Sequence, residues 1–374
     1  VRVRVVGSGP AGLAAAEVLA EGGAKVTIID HHASPARKFL LAGRGGLNLT
    51  HSEPLEILLS RYGAARDRLE PMIRAFPPDA LRAWCHGLGI DTFVGSSGRI
   101  FPRGLKASPL LRVLLGKLSG FGVELRLRES WRGFDNVPTV LALGGASWPE
   151  LGSDGSWRNT FIRAGIDVVP FAASNVRLPV AWSDVFSRRF AGQPIKNVGV
   201  RCGDSAARGE IMIAHDGIEG GAIYALSAAV RGQPQPELVI DLKPDVPDEA
   251  VRQRFSRPRG KDSGSNFLRK ALKLSPAAIG LMRETASTDP KCVVLRPAGA
   301  GSLHRAISTA GGVSWSEVGT DLQLRKWPGH FVAGEMLDWD APTGGYLLQA
   351  SIALGRWAGR TCLAHVQAQL PAGP

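Results

Sequence analysis

Cysteine is scarce and scattered in this chain of 374 residues: four thiols, at Cys85, Cys202, Cys292 and Cys362, with no CxxC pair among them. That spacing excludes a zinc ribbon, a dithiol redox centre and the disulfide framework of a small secreted domain, and it suits a reducing compartment. A run of about 18 apolar residues is missing, so no membrane-spanning helix is expected. The chain starts on the strand-like VRVRVVG rather than on an apolar leader, and the expected location is the cytoplasm. The tripeptide NLT at Asn48 has the form of a glycosylation acceptor, which a cytosolic protein does not use. Acidic residues are in deficit, 33 against 45 Lys and Arg, leaving a formal charge of +12. Such an excess fits a polyanionic partner, an acidic substrate or simply a basic surface.

Glycine, by contrast, is plentiful. The 46 Gly and 25 Pro are dispersed, which points to many tight loops and excludes a collagen-like or low-complexity chain. With 44% hydrophobic residues and a length beyond one ordinary domain, two domains or one domain with a large insertion are expected.

The opening VRVRVVGSGPAGLAAAEVLAEGGAKVTIID reads as strand, turn, helix, strand. Gly7 makes the tight turn, Gly9 lets the backbone approach a pyrophosphate, and Gly12 allows close helix–strand packing. Pro10 sits in the first helical turn, whose N–H groups face phosphate charge. Asp30 ends the second strand about twenty residues beyond the loop, where it is placed to accept hydrogen bonds from ribose hydroxyls. Dinucleotide binding follows, with FAD and NAD both open from this motif alone.

The far end of the chain discriminates. In GHFVAGEMLDWDAPTGGYLLQASIALGRWAGRTC, a short apolar strand leads through Gly334 and Glu335 to a glycine pair, Gly344 and Gly345, and then a helix from Tyr346. Such a helix start offers unpaired backbone N–H groups and a positive dipole end. An NAD dehydrogenase has no evident use for it there. A flavoprotein does, because reduced flavin carries negative charge around N1 and the C2 carbonyl.

Six segments in order now resemble a known family: GSGPAG with KFLLAGRGGLNLT, GRIFPRGLKAS, VLALGGASWPELGSDG, GEIMIAHDGIEGGAIYALS, AISTAGGVSWSEV and GEMLDWDAPTGGY. The chain resembles the BaiN-like (YhiN-like) FAD-containing flavoproteins of the glutathione-reductase-type superfamily. The resemblance implies an α/β fold, a Rossmann-like FAD-binding domain with a parallel sheet, interrupted by an inserted β-barrel-like and helical domain. It implies that residues 1–168 and 295–374 form the FAD-binding domain and 169–294 the insertion, which covers the flavin and shapes the substrate pocket. Gly7, Ser8, Gly9, Pro10, Ala11 and Gly12 would lie at the pyrophosphate, with Asp30 and His31 at the adenosine ribose. Gly144 and Gly145, closing LALGG, would pack near the dinucleotide. Gly334 and Glu335 would lie beside the ribityl chain, where Asp is more usual, and Gly344, Gly345 and Tyr346 at the pyrimidine edge of the flavin. Lys38, Gly43, Gly45, Gly46, Asn48 and Leu49 would line the flavin as well. In that loop the family runs Gly-x-Gly-Arg-Cys-Asn, whereas this chain has Gly46 and Leu47 in place of the Arg and Cys, with Arg44 two positions earlier. The Asn48 amide is expected to bond flavin, ribityl or local backbone.

Between about Pro170 and Pro290 the chain shows short β-like runs and no second strand–GxGxxG–helix unit, so a dedicated nicotinamide domain is absent and any NAD(P)H binds transiently. The segment from 252 to 273 gathers Arg252, Arg254, Arg257, Arg259, Lys261, Arg269, Lys270 and Lys273 around Asp262. A solvated basic face, a funnel for an anionic substrate and a nucleic-acid surface all fit it. Three side chains are candidates near the chemistry: His215 as a proton shuttle, Thr309 lining the pocket, and Tyr346 packing on the flavin. The expected activity is FAD-dependent oxidation or reduction of a small organic substrate, with NAD(P)H or oxygen as electron partner. The alternative is a flavoprotein that modifies or binds nucleic acid, tRNA in particular, through the basic segment.

Overall fold

The fold is taken from a computed structural model, which describes residues 1–369 apart from Arg257, Arg259 and the side chain of Arg44. The chain divides into two compact units, Val1–Ala172 with Ser308–Pro374, and Ala173–Ile307.

The first unit is built on a five-stranded parallel sheet in the order His330–Val332, Thr139–Leu141, Arg2–Val6, Lys25–Asp30, Glu124–Leu127. Its central strands are short Val/Ile runs buried on both faces, as a parallel sheet requires. The first strand turns at Gly7, whose φ of +96° and closeness to the Ala142 carbonyl leave no room for a side chain: a Cβ would lie 2.2 Å from that oxygen. Pro10 then starts a helix, Pro10–Glu21, where its missing N–H costs nothing. Gly22 and Gly23 end it, Gly23 in the left-handed region.

Alanines at 11, 14, 15 and 16 make this helix thin. The C-terminal helix, Tyr346–Ala368, lies directly against it. Contact is made by Gly355 and Gly359, where added Cβ atoms would sit 2.1 Å from the Ala11 carbonyl oxygen and 2.8 Å from that of Ala15. The pairing fixes the start of one helix relative to the other. Glu17, wholly buried beside this contact, receives Trp84 Nε1–H on both oxygens (3.0 and 2.8 Å), Lys117 Nζ at 2.7 Å and Arg356 Nη1 at 2.7 Å. Four helices are tied by one carboxylate.

At the sheet edge, His330 is buried in an aromatic box, 5.1 Å from Phe134 and 6.2 Å from Trp327 between ring centroids. Burial pushes its pKa below the usual histidine value. The unfolded chain therefore takes up a proton near pH 6.5 that the folded chain refuses until lower pH. The stabilisation is complete above about pH 6.5 and is lost as pH falls towards the depressed folded value. Comparing urea midpoints at neutral and mildly acidic pH, His330→Phe is expected to lose less stability on acidification than the parent. An unchanged acid loss would refute this assignment. His32 is also held low, by burial first and then by the neighbouring His31 and Arg37.

The second unit is a six-stranded antiparallel sheet in the order Val293–Leu295, Leu238–Asp241, Pro194–Cys202, Ser205–Ala214, Gly217–Glu219, Leu178–Pro179. A bulge between Ile195 and Val198 bends the long third strand. The helices Asp184–Phe190, Asp248–Phe255, Gly264–Leu272 and Pro276–Glu284 belong to this unit, which has its own core around Val198, Val200, Ile211, Ile240 and Leu281.

Candidate functional site: a dinucleotide cradle

The carboxyl ends of the parallel strands open onto a cleft in the first unit, lined by Gly7–Ala11, Asp30–His32, Arg37, Lys38, Gly144, Gly334 and Glu335. Four separate stretches of chain meet there because four adjacent strands end there. Gly9 caps the first helix in an extended conformation, φ −73° and ψ 179°, which any residue can adopt. A Cβ built on Gly9 meets no protein atom within 4 Å. The protein itself thus gives no reason for glycine at this position; a pyrophosphate lying on the helix N-terminus does. Gly12 is different in kind, since its Cβ would lie 1.9 Å from the Gly7 carbonyl oxygen, so it is fixed by the fold.

Asp30 stands at the end of the second strand. Its Oδ2 accepts from Ser8 N–H (3.0 Å) and Ser8 Oγ–H (2.5 Å), and its Oδ1 from His32 N–H (2.9 Å). Donors from the loop and from the strand end aim the carboxylate. His31 is exposed at the mouth, with its ring 4.2 Å from that of His32. Arg37 Nη1 lies 2.8 Å from His32 Nδ1. Sequence reasoning missed His32, Arg37, Glu129 and Trp131 on this wall. Gly152 carries the one available signal, a glycine at φ +96° whose Cβ would strike the His32 ring at 2.4 Å.

Further along the cleft, Lys38 Nζ bonds Ser147 Oγ (2.7 Å) and Glu335 Oε2 (2.8 Å). Glu335 Oε1 accepts from Thr309 N–H (3.0 Å), and Thr309 Oγ1 from Ala146 N–H (2.9 Å). Gly145 packs so close to Thr309 that a Cβ would be 2.7 Å from its hydroxyl. Thr309 is buried and spends both its N–H and its hydroxyl on this network, as a brace. Lys38 presents the positive charge.

The glycine-rich stretch after Lys38 forms a helix, Arg37–Ala42, a 3-10 turn, Gly43–Gly45, and a short strand, Thr50–His51. Gly43 abuts Ala107, Gly45 is open to its surroundings, and Gly46 has φ +108°. Leu47 and Leu49 are wholly buried, their N–H groups bonded to the carbonyls of Leu105 (2.7 Å) and Ile100 (2.8 Å). Arg44, whose side chain lies outside the described residues, is not placed. With its amide turned so that both ends are satisfied, Asn48 donates to the Thr50 carbonyl (3.1 Å) and accepts from Gly345 N–H (3.2 Å). One of these partners is local backbone, at Thr50, and the other is distant in sequence, at Gly345. The loop is thereby pinned to the start of the C-terminal helix, where a Cβ on Gly345 would fall 2.5 Å from Thr50 Cα.

Tyr346, the first residue of that helix, is buried and stacked on His51 at 5.6 Å, while Tyr62 Oη–H donates to its carbonyl at 2.9 Å. Burial and hydrogen bonding to Glu53 hold the Tyr346 phenol well above its usual pKa. Burial pushes the Glu53 carboxyl up, but Arg61, at 2.8 Å, together with Tyr346 and His51, outweighs it and the net shift is down. His51 accepts Glu53 N–H on Nδ1 (3.1 Å) and meets the Ser97 carbonyl with Nε2 (3.0 Å), which fixes its tautomer as Nε2–H. Nothing in the sequence grouped His51, Glu53, Arg61 and Tyr62 around Tyr346.

His215 lies in the second unit, exposed in the tight turn between Ser205–Ala214 and Gly217–Glu219. Its backbone carbonyl accepts from Ser187 Oγ–H at 2.8 Å. The described residues hold no cluster suited to a metal ion and no helix long and apolar enough to cross a membrane.

Comparison with known proteins decides the family. A family model described as HI0933-like protein Rossmann domain matches residues 1–139 and 134–361. The chain belongs to this family. Among its relatives, the 3-dehydro-bile acid delta(4,6)-reductase of Clostridium scindens is 27% identical over 413 aligned positions, covering 96% of this chain and 98% of that protein. The ribosomal RNA dihydrouridine synthase of Escherichia coli is 24% identical, covering 92% and 94%. Of solved structures, 3-ketosteroid delta1-dehydrogenase from Sterolibacterium denitrificans aligns with a TM-score of 0.50 at 13% identity over 97% of this chain and 99% of that one, a likeness of fold alone. The group this HI0933-like cradle takes is FAD: the open Gly9, the helix N-terminus and the aimed Asp30 suit its diphosphate and ribose.

Proposed function

We propose that the chain is an FAD-dependent oxidoreductase acting on a small organic substrate, with NAD(P)H or oxygen as its electron partner. The observation that carries this reading is the glycine at position 9, which no protein contact requires, at the head of a cleft formed by four strand ends. When bound, FAD supplies the electron transfer. The first unit then serves as the FAD-binding domain, and residues 173–307 as an inserted domain that selects the substrate. Gly7–Gly12 hold the diphosphate, Asp30 the ribose, and Lys38 and Glu335 the stretch beyond. Tyr346 holds its proton throughout the working pH range, so it acts as a fixed hydrogen-bond donor, not as a base. Leu47 brings no thiol to the loop, so any chemistry that depends on a cysteine there is absent from this chain. That argues against carrying a relative's substrate across.

Purified protein mixed anaerobically with NADH or NADPH is expected to lose its visible flavin absorption, and a substrate screen is then read as reoxidation of the reduced flavin. Failure of both nucleotides to bleach the flavin would remove the reductase form and leave peroxide release as the test of the oxidase form.

A second reading is favoured by two observations. Relatives from Escherichia coli and Haemophilus influenzae are named ribosomal RNA dihydrouridine synthases, and this chain carries a formal charge of +12. On that reading the substrate is a base within RNA. Salt-sensitive RNA binding separates it from the first.

A further inference from the structure

The basic segment noted in the sequence is not uniformly basic in the fold. Arg252 pairs with Glu249 at 3.1 Å and Lys270 with Asp262 at 2.8 Å, so part of its charge is neutralised locally. Ion pairs of the same kind recur elsewhere, as in Arg61–Glu53, Arg126–Glu124 and Arg208–Asp245. One cleft in the second unit gathers three arginines without such a partner. The helices Asp184–Phe190, Gly264–Leu272 and Pro276–Glu284 each contribute one guanidinium to its walls: Arg189, Arg269 and Arg283. Among the described residues none of the three has a carboxylate partner. Arg269 bonds only the Asn266 amide oxygen, at 3.1 Å, and Arg189 lies over the Phe190 ring at 5.3 Å. The one carboxylate on the wall, Glu284, is spent on the N–H and hydroxyl of Ser183.

The floor is aromatic. Phe186 and Phe190 are buried beneath the arginines, and Gly280 makes room for them, since a Cβ there would sit 2.4 Å from the Phe190 ring. Three like charges facing one cleft repel one another, and an anion resolves this. An ammonium would scatter its hydration; guanidiniums, planar and weakly hydrated, suit phosphate oxygens.

We propose that this cleft binds the phosphodiester backbone of RNA. The inference rests on the second functional reading, that the substrate base lies in RNA. The cleft's shape favours a polymer over a free phosphate ion. Its charges come from three helices along an open groove rather than from a closed nest of backbone N–H groups, and the apolar floor matches the ribose and base faces between phosphates.

The test uses the flavin-loaded protein and a fluorescein-labelled RNA stem-loop, read by anisotropy between about 50 and 200 mM salt. The triple variant Arg189→Gln, Arg269→Gln, Arg283→Gln is expected to bind at least about 10-fold more weakly, with its log–log salt slope reduced by about 2. Its flavin spectrum and melting temperature should match the parent's. The control Arg252→Gln with Lys270→Gln, which removes paired cations of the same segment, should change affinity less than about 2-fold. Parent protein that binds RNA while the triple variant binds equally well overturns the cleft and leaves the RNA reading standing. A parent that ignores RNA at low salt overturns both. Displacement of the RNA by low-millimolar inorganic phosphate would show a small-anion site instead and also overturn the proposal.

Discussion

Gly9→Val is expected to give a folded protein that purifies without its yellow cofactor. A Cβ at this position meets no protein atom within 4 Å, so the added side chain starts into open space. The position is a helix cap in extended geometry, and exchanging glycine for valine there costs about 1 kcal/mol of stability. The diphosphate would lose its seat on the helix N-terminus, and a loss of about 3 kcal/mol in binding corresponds to more than 100-fold in affinity. Far-UV circular dichroism and the visible flavin band, measured on the same preparation, separate the two effects. Gly7→Val and Gly12→Val form the contrast: their side chains would collide with backbone carbonyls at 2.2 and 1.9 Å, so these variants should fail to fold. Stoichiometric flavin in Gly9→Val would place the diphosphate elsewhere and sink the assignment of this cradle.

Glu17→Ala is expected to destabilise the first unit by about 3–5 kcal/mol, because it leaves the Arg356 guanidinium and the Trp84 indole N–H facing a buried methyl group, while Lys117 keeps Glu21 at 2.8 Å. The side chain of Glu17 is wholly buried and accepts from an indole as well as two cations, so each of its oxygens is engaged. An exposed pair such as Arg126–Glu124, with both partners about half exposed, contributes only about 0–1 kcal/mol by comparison. Equilibrium urea unfolding, followed by far-UV circular dichroism, measures the difference. Native Glu17→Ala that remains folded should keep its flavin, since the carboxylate lies off the cleft lining. A shift within 1 kcal/mol, roughly the surface-pair scale, would show that the buried network is dispensable.

The parts of the site that could be read from the sequence are those that glycine announces. GSGPAG, the strand end at Asp30, the glycines of LALGG and the pair before Tyr346 all sit where backbone must turn sharply or approach closely, and such demands leave residue-level marks. The parallel sheet was legible for a related reason in its first two strands, where Val5–Val6 and Ile28–Ile29 are adjacent branched residues buried on both faces. Glu17 was not legible: in LAAAEVLAE it has the look of a solvent-facing glutamate, like Glu21 four residues on. Its partners lie 67, 100 and 339 residues away, and no local pattern records them. The same distance hides Tyr62 beneath Tyr346 and Ser147 beside Lys38. Asn48 was recognised as important, yet its bond to Gly345 crosses about three hundred positions of chain and needed coordinates to appear.

The contact of Gly355 and Gly359 with the first helix has a consequence for how the protein is made. The two contacting helices, Pro10–Glu21 and Tyr346–Ala368, are separated in the sequence by the whole of residues 22–345. The edge strand His330–Val332 also completes the sheet late. Loop closure over such a separation is slow, so during synthesis the first unit remains an open, apolar half-sheet. The six-stranded sheet of residues 173–307 pairs wholly within that span and can close before it. The cleft's own wall at Gly334 and Glu335 belongs to the same late segment as the edge strand, so the cradle is complete only once both parts of the first unit have come together.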